Sequence, residues 1–312
     1  MKKLLLLLAT ALLAAPGALL ATPKPRPRPV PAPALTAADS ARAGALAERH
    51  YADSVHATLR FQHGRVTLPG GVAALTVPPG FRYLDSAQSA YVLHKFWDNP
   101  RAESLGMLFP DSLGPLSDGA WAYNINYNPM GYVKDDDAGY IDADELLETL
   151  QQDAEEDNPA RIKAGYQPVH VYGWGAAPYY DPQQHALHWA KLLRFGSGLD
   201  QTLNYNVRVL GRKGVLVFNA IAGPEQLAAV RASIPGLLAN VQFTKGQQYT
   251  DYSAGLDEVA AYSIGGLVAG KVLAKVGLFA LATKFWKLGL LALAGAWAGM
   301  KRFFGLGSRP ED

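Results

Sequence analysis

The sequence predicts an α+β protein: a mainly antiparallel sheet carrying a few packed helices, followed by an apolar helical hairpin at the C-terminus. Three observations predict it. Short strand-like runs follow one another with brief Gly/Pro turns between residues 61 and 258, which favours antiparallel neighbours. Several of these runs alternate polar and apolar residues with the period of a strand. Residues 259–306 hold no acid and are rich in Gly, Ala and Leu.

Taken in order, Lys2-Lys3 and the apolar run 4–13 read as a secretory signal over 1–21. Residues 22–33, TPKPRPRPVPAP, place proline at alternate positions; fixed φ and missing amide donors favour an extended polyproline spacer. Residues 34–60 have helical character, with Thr36 or Asp39 as N-cap. In the body, 61–258, Leu68-Pro69-Gly70-Gly71 and Pro78-Pro79-Gly80 are turns around a strand at 72–77, and 81–84 begins another strand. A helix is predicted over 86–96, strands over 104–109 and 120–127, and a helix over 142–156 that opens with Asp142 and Glu145 in a capping-box pattern. Strands are predicted over 168–175, 185–195, 201–210 and 214–221. The last pair is joined by the tight turn 211–214. A helix over 224–239 starts near Pro224. In 259–306, lysines at 271, 275, 284 and 287 make a single span costly. Two membrane-anchoring helices meeting near 284–287 fit better; 307–312 is a short tail.

The chain has 29 Lys and Arg, 27 Asp and Glu, and no cysteine. Two acids and twelve bases lie outside 34–258, so the body alone carries −8. An acidic body argues against nucleic acid as a partner. The missing cysteine excludes a disulfide framework, a thiolate zinc site, a thiol nucleophile and a lipobox.

The runs GYVKDDDAGYIDADELL (131–147), GWGAAPYYDPQQHALHWAKLL (173–193), LNYNVRVLGRKGVLVFNA (203–220) and VAAYSIGGLVAGKVLAKVGL (259–278) resemble a bacterial family of uncharacterised membrane-anchored proteins, domain-of-unknown-function family 2167. The resemblance spans roughly 61–290. The chain departs from the family's pattern at Phe61-Gln62-His63, where the family has a tryptophan, and at Asp98, which replaces a glycine before Asn99-Pro100. The resemblance implies an exported protein of the bacterial cell envelope, membrane-anchored, with its main domain outside the cytoplasm. It implies no activity and no catalytic residues.

Read for chemistry, the body yields no catalytic residue, metal site or cofactor. The acids Asp135, Asp136 and Asp137, with Asp142, Asp144 and Glu145, fit no register of a calcium loop; an acidic turn feeding a helix N-terminus is the plainer reading. Asp181, His185 and His188 are close in sequence, but residues three apart on a strand face opposite ways, which speaks against a two-histidine zinc site. A G-x-S-x-G elbow and a phosphate loop are both absent. The feature that asks for a reason is asparagine at matching strand parity, Asn124 and Asn126 in one strand and Asn204 and Asn206, with Arg208, in another, because asparagine is disfavoured in strands. Two readings stand: a wet or internally hydrogen-bonded face, or a polar groove for a glycan or peptide. In the C-terminal stretch, Ser263, Gly266, Gly270, Ala274 and Gly277 fall on one helical stripe suited to close helix packing. The function expected is a non-enzymatic binding or assembly module of the envelope. Its partners would be membrane lipid, an envelope protein or glycan, and other copies of itself through the C-terminal helices. The alternatives are an envelope hydrolase using the Asp181/His185 region and a small channel-like membrane assembly.

Overall fold

The computed structural model describes residues 36–270 apart from Ala102. The signal peptide, the proline-rich spacer, the 271–306 hairpin with Ala274 and Gly277, and the tail therefore lie outside the described residues. The chain divides into one compact unit ending at Ala47 and a second beginning at Glu48. What is described of the first is the start of helix α1 (Ala37–Thr58), whose residues to Ala47 are all exposed. Thr36 and Asp39 cap it reciprocally: the Asp39 amide donates to Thr36 Oγ1 (3.1 Å), and the Thr36 hydroxyl and amide donate to Asp39 Oδ2 (2.7 and 3.2 Å).

The second unit is α+β, as the turn pattern predicts. Its strands are β1 (Arg65–Thr67), β2 (Ala73–Thr76), β3 (Phe81–Asp85), β4 (Gly106–Pro110), β5 (Ala122–Asn128), β6 (Val169–Asp181), β7 (Ala186–Phe195), β8 (Gln201–Leu210), β9 (Val215–Ala222) and β10 (Val241–Phe243). Helix α2 (Ser86–Lys95) follows β3, α3 (Ala143–Lys163) precedes β6, α4 (Leu227–Ala239) follows β9, and α5 (Ile264–Ala269) comes last. Seven strands form one antiparallel sheet in the order β3-β4-β5-β9-β8-β7-β6, and β1-β2-β10 form a second, smaller one. The edge strand β6 is interrupted by register shifts at 171–179, where Gly173, Gly175 and Pro178 sit. Such irregularity blunts an edge that would otherwise template aggregation.

Both faces of the large sheet are covered, by different elements. One face carries Tyr123, Ile125, Leu203, Tyr205, Val207 and Phe218, packed under α4 (Val230, Ile234, Leu237) and the small sheet (Leu68, Leu75). Tyr123 donates its buried hydroxyl to the Val230 carbonyl (3.1 Å), which fixes α4 to the sheet. The opposite face is covered in two places. At the β3–β4 side, Val92 and Leu93 of α2 lie with Leu84, Met107 and Phe109. At the β7 side, Leu146 and Leu150 of α3 and Ile264, Leu267 and Val268 of α5 lie with Leu187, Trp189 and Val217.

Residues 259–269 therefore belong to the body, where the sequence had suggested the start of a membrane helix. Three contacts pull them in. Tyr132 bridges Val259 in parallel fashion, and its carbonyl accepts from the Ala260 amide at 2.8 Å. Gly131, at φ 89°, passes so close to Glu258 that a Cβ would sit 2.8 Å from its carbonyl oxygen. The Arg212 Nε–Asp257 Oδ2 pair at 2.8 Å, with Asp257 almost wholly buried, ties the preceding segment to the β8–β9 turn. Asp137 then accepts from the Ile264 amide (3.2 Å), so one member of the acidic triplet caps α5 from a distance in sequence. Among the described residues no helix is long and apolar enough to cross a membrane.

If α5 is a core element, Leu267→Ala in the full chain costs about 2–5 kcal/mol, the usual toll for a buried Leu truncated to Ala. A chain ending at Asp257, which loses the buried Ala260, Ile264, Leu267 and Val268, is less stable than one ending at Gly270. Denaturant unfolding checks both; an unchanged midpoint would show that 259–269 is merely a leader to the tail.

Candidate functional site

The register of the large sheet collects asparagines. Asn124 of β5 lies opposite Asn219 of β9, and Asn219 lies opposite Asn206 of β8. Directly opposed residues share a face, so three asparagines stand in one row across three adjacent strands, with Met107 of β4 at one end and Trp189 of β7 at the other. The adjoining row holds Asn126, Val217, Arg208 and Leu187, and the row beyond on the other side holds Ala122, Ile221, Asn204 and Lys191. All five face residues predicted from strand parity thus come together, on the side where α2 covers one end of the row and the α3–α5 pair the other. Asn219, Lys191 and Trp189 join them and were not singled out by the sequence. Asn219 sits in a predicted strand at the right parity, but only the strand order brings it between the other two.

The asparagines are partly spent on one another. Ser104 donates to Asn124 Oδ1 (2.6 Å). With its amide oriented to satisfy both ends, Asn126 donates to the carbonyls of Ile125 (3.1 Å) and Glu103 (2.7 Å) and accepts from Asn124 Nδ2 (3.0 Å). Asn206, itself buried, donates to Asn204 Oδ1 at 2.8 Å. The internally bonded reading of this face therefore holds for these four side chains. It does not hold for the rest: Asn219 Oδ1, Arg208 Nε and Trp189 Nε1 are buried with no hydrogen-bond partner. An unpaired polar atom in such a place costs about 1–3 kcal/mol.

The face is also cationic. The Arg208 guanidinium lies 5.1 Å from the centre of the Trp189 ring. Burial lowers the Arg208 pKa to about 10. Burial, with Arg208 nearby, lowers that of the Lys191 ammonium below the ordinary lysine range. Neither cation has a carboxylate partner among the described residues.

Asp181 and His185 do not act together. Asp181 Oδ1 accepts from the amides of Gln183 (2.9 Å) and Gln184 (3.2 Å), so it caps the turn after β6. His185, at φ 45°, a backbone position few non-glycine residues adopt, pairs instead with the acidic loop. Tyr180 donates to Asp135 Oδ2 at 2.7 Å and sits 3.3 Å from His185 Nδ1, with Asp135 Oδ2 3.8 Å from the same nitrogen. With the Tyr180 hydroxyl hydrogen directed at Asp135, the Tyr180 oxygen is free to accept a hydrogen bond from His185 Nδ1. The ring packs against Tyr249 (4.3 Å between centroids) beside a cavity of about 400 Å³ lined by Gln184, Leu210, Phe243 and Gln248. His188 lies on the other face of the sheet, 2 % exposed and stacked on Tyr179 at 4.7 Å, as strand parity requires. Among the described residues no group of three or more His, Asp or Glu is placed to hold a metal.

Of the predicted small-residue stripe, Ser263, Gly266 and Gly270 lie within or at the ends of α5, and Ala274 and Gly277 lie outside the described residues. Ser263 is the N-cap of α5, accepting from the Gly266 amide at 2.9 Å; Gly266 is buried against the body; and Gly270 ends the helix in the left-handed conformation at φ 74°. A residue at that φ does not continue a right-handed helix, so α5 itself ends at Gly270.

An antiparallel α+β domain with a polar, cationic strip on one sheet face is the class that fold and site define. The chain belongs to the family described as "Protein of unknown function (DUF2167)", whose model matches residues 60–298. No curated protein matches. Among solved structures, the chain is similar to cyanobacterial PsbP (CyanoP) from Synechocystis sp. PCC 6803, at 10% identity over 59% of this chain and 92% of that one, with a TM-score of 0.33.

The buried His188 makes stability depend on acidity. Burial lowers its pKa to about 4, against about 6.5 in the unfolded chain. The unfolded state binds the proton first as pH falls. The stabilisation is therefore complete above pH 6.5 and lost progressively down to about pH 4, amounting to roughly 3 kcal/mol. His188→Leu should flatten the unfolding free energy across that window. A variant with the wild-type slope would assign the acid sensitivity to other groups.

Proposed function

We propose that this chain is a cell-envelope protein, exported by residues 1–21 and held to the membrane by 271–306, whose body is a non-enzymatic binding module. The binding face is the asparagine row of the large sheet, and the ligand is a hydroxyl-rich one such as an envelope glycan. The observation that carries the reading is the alignment of Asn124, Asn219 and Asn206 in register on three strands, with Asn219 Oδ1 buried and unsatisfied. Amides fixed by one another are pre-organised, so a ligand need not pay to order them. Family membership supports the general setting, since the apolar 271–298 lies inside the matched range.

A second reading, an envelope hydrolase, is favoured by the Asp135–Tyr180–His185 relay beside its cavity. It uses Asp135 in place of Asp181, which the turn consumes.

Topology is tested by fusing alkaline phosphatase after Gly270: activity is expected outside the cytoplasm, and a silent fusion would reverse the orientation. Truncation at the same residue should release a soluble body, whereas carbonate-resistant pelleting would make the N-terminus the anchor. For the face, titration of the full chain in detergent with N-acetylglucosamine oligomers should perturb the side-chain amides of Asn124, Asn206 and Asn219. Asn219→Leu should weaken binding on the order of tenfold, the scale of one lost hydrogen bond. For the hydrolase reading, Asp135→Asn would abolish a turnover that Asn219→Leu leaves intact.

A further inference from the structure

Two cations held on a covered sheet face without a carboxylate are an energetic debt that the fold alone does not settle. Lys191 and Arg208 stand on adjacent strands, β7 and β8, on the same face. Asn204 lies opposite Lys191, and Trp189, between Lys191 and Leu187 on that face of β7, lies under the Arg208 guanidinium at 5.1 Å. Trp189 thus stands on β7 between the row of Lys191 and the row of Arg208, and the two charges are near enough for Arg208 to disfavour the charged form of Lys191. Both are half-buried, and Arg208 Nε is wholly shielded and unpartnered. The neighbouring positions on this face supply no acid: they are Asn206, Val217, Asn219, Ile221, Ala122, Asn124 and Asn126 on β8, β9 and β5, and Trp174 on β6. Beyond the described residues the sequence contains only two acids, Glu311 and Asp312.

Paired cations that repel one another and lose water are retained where an anion completes them. We infer that Lys191 and Arg208 form an oxyanion site, taking the phosphate or carboxylate of a ligand whose hydroxyls meet Asn204, Asn206 and Asn219. The inference rests on the asparagine face being the ligand face, and it names the charge of what binds there. Arg208 offers a planar fork and Lys191 a point charge; the asparagine amides donate to or accept from hydroxyls. The lowered pKa of both cations, caused first by desolvation, agrees with a site awaiting a negative partner.

The test uses the full chain in phosphatidylcholine nanodiscs at fixed ionic strength. The soluble probes are inorganic phosphate, N-acetylglucosamine 1-phosphate and a neutral N-acetylglucosamine oligomer; a separate preparation contains phosphatidylglycerol. The sugar phosphate is expected to bind more tightly than the neutral oligomer, to raise the melting temperature, and to perturb the amides of Asn206 and Asn219. Lys191→Met and Arg208→Met should each weaken that binding on the order of tenfold, as losing a charge-assisted hydrogen bond does. Without any ligand, both variants should melt at or above the wild-type temperature, because each removes an uncompensated cation. Lys191→Gln gives the same comparison should a methionine variant fail to fold. A response to phosphatidylglycerol alone, lost in the same variants, would identify a lipid headgroup as the oxyanion's source. Binding of the neutral oligomer with no response to any oxyanion would overturn the anion site and leave the ligand face standing. No response to any probe would overturn both. An oxyanion response equal in wild type and variants, an adventitious ion only, would also overturn the site.

Discussion

The structure depends on a single sheet being covered on both faces by unlike material. On one side the cover is continuous and apolar: α4 and the small sheet meet Tyr123, Tyr205 and Phe218. On the other it comes from two separate helical groups, α2 and the α3–α5 pair. Between them the sheet presents asparagines, a lysine and an arginine. A continuous apolar cover on that side would bury these groups without partners, at a cost that no packing gain would offset. The split cover lets part of the face be polar, and hydrogen bonds from Ser104 to Asn124, along β5 between Asn124 and Asn126, and along β8 from Asn206 to Asn204 hold it in order.

Loop 131–142 connects this arrangement to the C-terminal segment. Gly131 and Tyr132 clasp Glu258, Val259 and Ala260; Asp135 holds Tyr180 and with it His185; Asp137 caps α5; Asp142 caps α3 by accepting from the amides of Asp144 and Glu145. Asp135, Asp137 and Asp142 of the acidic run thus take separate tasks. Three tyrosines, Tyr132, Tyr249 and Tyr252, stack at 4.6 and 3.9 Å and brace the same loop against the turn after β10. Through α5 the segment that leads to residue 270 is seated in the core of the body.

Much of the fold was legible locally. β8 is observed over the predicted residues, the hairpin at 211–214 is where Gly-x-x-Gly placed it, and Asp142 caps its helix. The helix continues to Lys163, seven residues past the predicted end. Pro159 lies inside it, and the buried Asn158 side chain both accepts from the Val169 amide (2.7 Å) and donates to its carbonyl (3.0 Å), docking α3 on β6. A proline tolerated by a tertiary contact carries no mark in the local sequence.

Strand parity and turn chemistry are local, so the sequence by itself determined the α+β class, the family, and which asparagines share a side of their own strand. Parity says nothing about which strands are neighbours. Only the order β5-β9-β8-β7 placed Asn219 between Asn124 and Asn206 and brought Lys191 and Arg208 to one face. Likewise the apolar, glycine-rich run from 259 has the composition of a membrane helix, because a core helix and a lipid-facing one both ask for apolar side chains. The tertiary structure decided between them for 259–269: the partners of Ile264, Leu267 and Val268 are protein side chains of α3 and the sheet, supplied by residues more than forty positions away.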